Sequence, residues 1–133
     1  MRKFDHDVLD PGSFLIAVLS ECPSGSHLEL EVLSPPALAR ALAPFAHRPN
    51  CYIVDSTTRT TIAALLAIHG SSLRATWLAL RAPDDSRTWF EAPHFGEFGK
   101  NTVLLHDAFP EALAMRLRDN SVMLFDDAEI PVP

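Results

Sequence analysis

The chain is short of cysteine and lysine and has no long apolar stretch, and each shortage excludes a class of protein. Two cysteines, Cys22 and Cys51, are too few for a disulfide scaffold or a four-cysteine zinc site. Both border segments that read as strands, so a bridge is geometrically conceivable, but a reducing compartment disfavours it. No apolar run approaches the ~20 residues that a membrane span needs. The start, MRKFDHDVLDPG, has two basic residues and then three aspartates, a poor pattern for a signal peptide. A cytoplasmic protein is therefore expected. Lysine and arginine together number 11 against 17 acids, for a formal charge of −6. The basic residues are scattered singly from Arg40 to Arg118. Nucleic-acid binding needs clustered cations, so it is disfavoured. An acidic surface serves solubility, and it also steers a basic protein partner.

What is present is a core. With 133 residues, 47% of them hydrophobic, residues 1–133 make one globular domain. The preference for arginine over lysine and the many alanines fit a GC-rich bacterial genome. Ser13 to Glu21 (SFLIAVLSE) is a nearly all-apolar run between Pro11-Gly12 and Pro23, and reads as a strand covered on both faces. HLELEVL, from His27, alternates strictly and reads as a half-exposed strand, hairpin-paired with the first. Ser34-Pro35 opens a helix with Leu38, Leu42, Phe45 and Ala46 on one face. Cys51 to Asp55 is a strand. A second helix follows from Ser56–Thr58, with Ile62, Leu65, Leu66 and His69 on one face and Gly70 suited to a left-handed cap.

Leu73 to Arg81 and Thr88 to Ala92 read as a hairpin around Pro83-Asp84-Asp85-Ser86, with Trp77 and Trp89 meeting across it. The β-α-β crossover before it would be right-handed. Pro93 to Thr102 is a loop, and Val103 to His106 a short strand. Asp107 caps a third helix, and Ser121 to Phe125 is a last strand. Residues 126–133 form an extended acidic and proline tail. The order β-β-α-β-α-β-β-(β)-α-β predicts an α/β or α+β domain, with a mixed sheet of five to seven strands and about three helices.

Two groups of residues are candidate sites. Asp55, Ser56, Thr57 and Thr58 lie at the carboxyl end of a strand, where open α/β sheets tend to bind ligands. His94 and His106 could converge there. The bland alternative is that these four residues cap the helix, which any strand–helix unit needs. The second group is the acids Glu29, Glu31, Asp84 and Asp85, with Phe95, Glu97 and Phe98 in the glycine-containing loop. Exposed phenylalanines there would anchor a partner, while phenylalanines tucked under the sheet would be core. GEFGKNT is not a phosphate loop, because two residues rather than four separate its glycines and Asn101 follows Lys100.

Catalytic signatures are sparse. No histidine pair has metal-ligand spacing; Asp5-His6-Asp7 is a weak exception on a terminus. Neither cysteine opens a phosphate loop and no G-x-S-x-G elbow occurs. The pairs Asp84-Asp85 and Asp126-Asp127 fall on a turn and a tail. No metal or cofactor is expected. The sequence favours a non-catalytic, acidic protein-binding domain of the immunity, inhibitor or adaptor kind. A small enzyme or ligand-binding domain using Asp55 is the alternative, and a homodimer through an apolar face is a third.

Overall fold

The computed structural model describes residues 4–84, 87–97 and 101–125. The elements run β1 (Phe4–Val8), α1 (Pro11–Glu21), β2 (Ser26–Ser34), α2 (Pro36–Leu42), β3 (Cys51–Val54), α3 (Ser56–His69), β4 (Arg74–Arg81), β5 (Thr88–Phe95), β6 (Thr102–Leu105), α4 (Glu111–Asp119) and β7 (Met123–Phe125). Short 3-10 turns, Ala43–Phe45 and Gly70–Ser72, extend α2 and α3. The chain thus has the mixed α/β content expected of it. All seven strands form one sheet in the order β3-β2-β4-β5-β6-β1-β7. Every adjacent pair is antiparallel. β3 and β4 both run against β2, so the helix α3 joins two strands of one direction with β2 inserted between them. β6, α4 and β7 repeat that arrangement around β1. No helix among the described residues is long and apolar enough to cross a membrane.

Alternation along the strands sorts their residues between two faces. Leu28 and Leu30 of β2, Leu78 and Leu80 of β4, and Phe90 and Ala92 of β5 turn one way and are fully buried. Phe14, Leu15, Val18 and Leu19 of α1, Leu38 and Leu42 of α2, and Ile62 and Leu66 of α3 join them in one core cluster. Leu113 and Leu117 bring α4 into the same cluster. Phe109, just before α4, stacks on Phe14 at 6.4 Å and meets Trp89 edge-on at 5.8 Å. All four helices of the described residues therefore cover the same side of the sheet.

The first third of the chain differs from expectation. Ser13–Glu21 is helical, within α1, and not a strand. An apolar run this short has no decisive period. Its start signal lies upstream, where the Asp10 carboxylate accepts from the Ser13 amide at 3.2 Å and the Ser13 hydroxyl at 2.8 Å. Pro11 stands at the first helical positions, where it is tolerated. The first strand is instead β1, between β6 and β7, with His6 buried. The partners of β2 are β3 and β4, not a preceding strand.

Smaller differences follow from local chemistry. α2 starts at Pro36 with no side-chain cap from Ser34. α4 starts after Pro110, while Asp107 lies in the turn closed by Phe109 N–H donating to the His106 carbonyl at 3.0 Å. The tryptophans do not meet. Trp77 pairs with Pro93, and a register shift between Leu80 and Arg81 turns Trp89 to the helical side. Asp85, Phe98 and residues 126–133 lie outside the described residues.

Gly70 is not left-handed; its φ is −71°. It is required for a close approach instead. A Cβ on Gly70 would sit 2.7 Å from the Gly12 Cα, and one on Gly12 would sit 3.1 Å from the Leu66 carbonyl. The start of α1 thus crosses the end of α3 backbone to backbone. Gly70→Ala gains helix propensity of at most ~1 kcal/mol, but forcing a methyl into a closed contact costs about 1–3 kcal/mol. We expect a net loss of stability in urea titrations. A variant as stable as the parent would mean that the two helices separate freely.

Candidate functional site

The face of the sheet turned away from the helices is polar and aromatic. From β2 it presents His27, Glu29 and Glu31, from β4 Trp77, Ala79 and Arg81, and from β5 Glu91. Glu29, Ala79 and Glu91 form one cross-strand row. The two glutamates are therefore two strand spacings, roughly 10 Å, apart at Cα. Ala79 is fully buried although it belongs to this face, covered by the longer side chains around it.

Glu29 organises the row. The Trp77 indole Nε1–H donates to its Oε1 at 2.9 Å. Arg81 Nε donates to Oε2 at 3.3 Å and Arg81 Nη2 to Oε1 at 3.4 Å. Arg81 Nη1 also donates to the Thr88 hydroxyl at 3.0 Å. Burial pushes the Glu29 carboxyl up, but the Trp77 and Arg81 hydrogen bonds and the charges of Arg81 and Arg48 outweigh it, so the net shift is downward.

Glu91 has a different partner. The His106 Nε2 lies 3.4 Å from its Oε1, with the histidine side chain 10% exposed. That nitrogen has no hydrogen-bond partner among the described residues. Glu31 is exposed and pairs across β2 and β4 with Trp77.

The residues singled out from the sequence fall into separate places. Asp55 caps α3: its Oδ1 accepts from the Thr58 amide at 2.8 Å, and that bond holds its carboxyl below the ordinary range. Ser56, Thr57 and Thr58 form the first turn of α3. His106 ends β6, four strand spacings or about 19 Å across the sheet from Asp55. His94 lies at the opposite end of the sheet, where its Nδ1 is 2.7 Å from Glu97 Oε2. The structure does not bring the Asp55 group and the two histidines together.

Phe95 is fully buried and belongs to the core, the second of the two readings weighed for it. The left-handed His94, φ 55°, interrupts the alternation just before it. Asp84 lies in the exposed turn after β4. Cys22 and Cys51 are buried free thiols, and burial pushes the Cys22 thiol up, away from reactivity. No group of three or more possible metal ligands occurs among the described residues.

Sequence reasoning missed Trp77, Arg81 and Glu91 as surface groups. The signal was available: Trp77, Ala79 and Arg81 alternate with Leu78 and Leu80, as Glu29 and Glu31 do with Leu28 and Leu30. No protein-family model, curated protein or solved structure matches this chain.

A depressed carboxylate contributes stability that is present above its unfolded pKa and lost as pH falls through its folded one. Glu29 should therefore stabilise the fold at neutral pH and lose that contribution below about pH 4, near the unperturbed glutamate value. Glu29→Gln should cost about 1–2 kcal/mol at pH 7 by weakening charge-assisted hydrogen bonds. It should also flatten the acid limb of stability against pH. Parallel acid limbs in parent and variant would show that Glu29 is not depressed.

Proposed function

We propose that this chain is a non-catalytic binding domain that docks a basic segment of a partner protein on the open face of its sheet. One observation carries the reading. Three glutamates, Glu29, Glu31 and Glu91, surround the half-buried Trp77 on a sheet face that no helix among the described residues covers. Tryptophan and arginine are favoured interface anchors, and the aromatic body of Trp77 is already fixed by its bond to Glu29. A fixed anchor loses little side-chain entropy on binding.

The charges favour a cationic partner. Three glutamates on this surface outnumber the arginines whose charges reach them, Arg81 and Arg48, and the whole chain carries −6. An acidic field accelerates encounter with a basic surface and makes the association weaken with salt. The immunity, inhibitor and adaptor roles share this chemistry. The alternative, a small-enzyme or ligand site at Asp55, has less support, because Asp55 is occupied as a helix cap and its supposed histidine partners lie elsewhere.

The test compares both faces in one experiment. The purified chain is immobilised and lysate proteins are retained at low salt, then released at high salt. The parent should retain a basic protein. Glu31→Lys and Trp77→Ala should each weaken that retention by tenfold or more, the scale of an anchor worth above ~1.4 kcal/mol. Ile68→Lys, on the helical side where Ile68 is 71% exposed, should leave it unchanged. Retention insensitive to Glu31 and Trp77, or lost with Ile68, would overturn the reading.

A further inference from the structure

A cavity of about 460 Å³ lies in the cleft between α2, with its 3-10 extension, and the edge of the sheet at β2 and β3. That size is within the range of small-molecule sites. Leu30, Val32, Ala39 and Ala46 give it apolar walls. Its polar groups come from Arg48, Asn50 and Tyr52, and no acidic residue lines it.

Two features make this a built site. The first is the turn that carries the arginine. Cys51 N–H donates to the Arg48 carbonyl at 2.9 Å, and Leu30 N–H donates to the Asn50 carbonyl at 2.9 Å. Pro49 and the left-handed Asn50, φ 61°, occupy the central positions of the turn. Proline presets the first of these and asparagine tolerates the second, so the turn is rigid and pinned to β2. The second feature is Tyr52. It is 4% exposed and lines the cavity. Its phenol supplies a hydroxyl that can donate to an acceptor in the cleft. Burial pushes the phenol up, so it stays a donor.

The donors select the ligand. Arg48 and the Tyr52 hydroxyl both offer protons to an acceptor, and the arginine adds charge. Glu29 senses the Arg48 charge, but its hydrogen bonds go to Trp77 and Arg81. We propose that this cleft binds a small carboxylate with an aliphatic tail, the tail against Leu30, Val32 and Ala39 and the carboxylate held at the mouth by Arg48 and Tyr52. This site lies on the other side of β2 from the open face and is tested separately from it, although the Arg48 charge reaches Glu29.

Octanoate is the probe, titrated into the isotopically labelled chain and followed by two-dimensional amide NMR. We expect saturable shifts concentrated on Leu30, Val32, Ala39 and Ala46. Arg48→Gln and Tyr52→Phe should each weaken binding about tenfold, as expected for a charge-assisted hydrogen bond. Octanol, which keeps the tail and lacks the carboxylate, should bind at least tenfold more weakly still than octanoate does to the parent. Ala39→Phe fills the cleft and should abolish the shifts. Arg48 is exposed, so its variant reports on binding even if Tyr52→Phe disturbs the fold. No saturable shift with octanoate, octanol binding as tightly as octanoate, or an Arg48 variant indistinguishable from the parent would each overturn the proposal.

Discussion

Burial of one sheet face under a single layer of helices is the constraint on which the other features depend. Leu28, Leu30, Leu78, Leu80, Phe90 and Ala92 are wholly removed from water on that side. Each such side chain contributes about 1.5–3 kcal/mol relative to exposure when it is large, so a one-residue slip of β2 or β4 would forfeit several of them at once. Slippage would also turn Glu29 and Glu31 into the core, where an unpaired charge costs far more. Register is thereby fixed from both directions. The Gly12–Gly70 contact completes the layer, because it lets α1 and α3 approach closely enough to close over the central strands.

A sheet covered on one side leaves its other side to manage its own polar groups. Glu29 does so fully: indole, guanidinium and carboxylate satisfy one another, and Thr88 takes a further guanidinium proton. These groups are only partly buried, with side-chain exposures of 25% for Glu29 and 32% for Arg81. Solvent screening therefore keeps the ion pair itself modest. Its larger effect is geometric. It holds Trp77 in one orientation over Ala79, converting a mobile aromatic into a fixed surface. The neighbouring Glu91–His106 contact is looser, at 3.4 Å without hydrogen-bond geometry, and the two halves of the face thus differ in rigidity.

Legibility in the sequence followed the strength of the local signal. β2 was readable because HLELEVL alternates without a break, and the α3 cap because Asp55 immediately precedes a helical pattern that ends at a glycine. α1 was misread because SFLIAVLSE is apolar on nearly all sides, which a strand buried on both faces and a buried helix share. Its real marker, Asp10 followed by Pro11, belongs to the flanking residues rather than to the run. β1 was overlooked although the buried His6 and Val8 flank the exposed Asp7; a histidine at a buried position weakened the pattern. Trp89 and Phe95 were misplaced for a common reason. A register shift and a left-handed residue break the period of two, and neither is written in the residue types around them. Whether His94 and His106 reach the Asp55 group was not legible, because sequence places residues at strand ends without saying which strands are neighbours.

The length mismatch between β3 and β2 explains why the molecule has a cleft at that edge at all. β3 has four residues and β2 has nine. Pairing covers Ser26 to Glu29, and the Leu30 amide takes the Asn50 carbonyl as the last bond on that side. Beyond it, Val32 has only β4 as a neighbour. A longer β3 would have filled this space with another strand. Instead the chain arrives through α2 and the Arg48–Cys51 turn, which roof the inward side of β2 without closing onto it. The same shortness blunts the sheet edge against pairing with another chain. Alternation then separates the two chemistries by one residue along β2: Glu29 points to the acidic open face and Leu30 to the cleft with its arginine and phenol. The separation is one of side-chain direction and not of charge, because the Arg48 cation still lowers the Glu29 carboxyl from the other side of the strand.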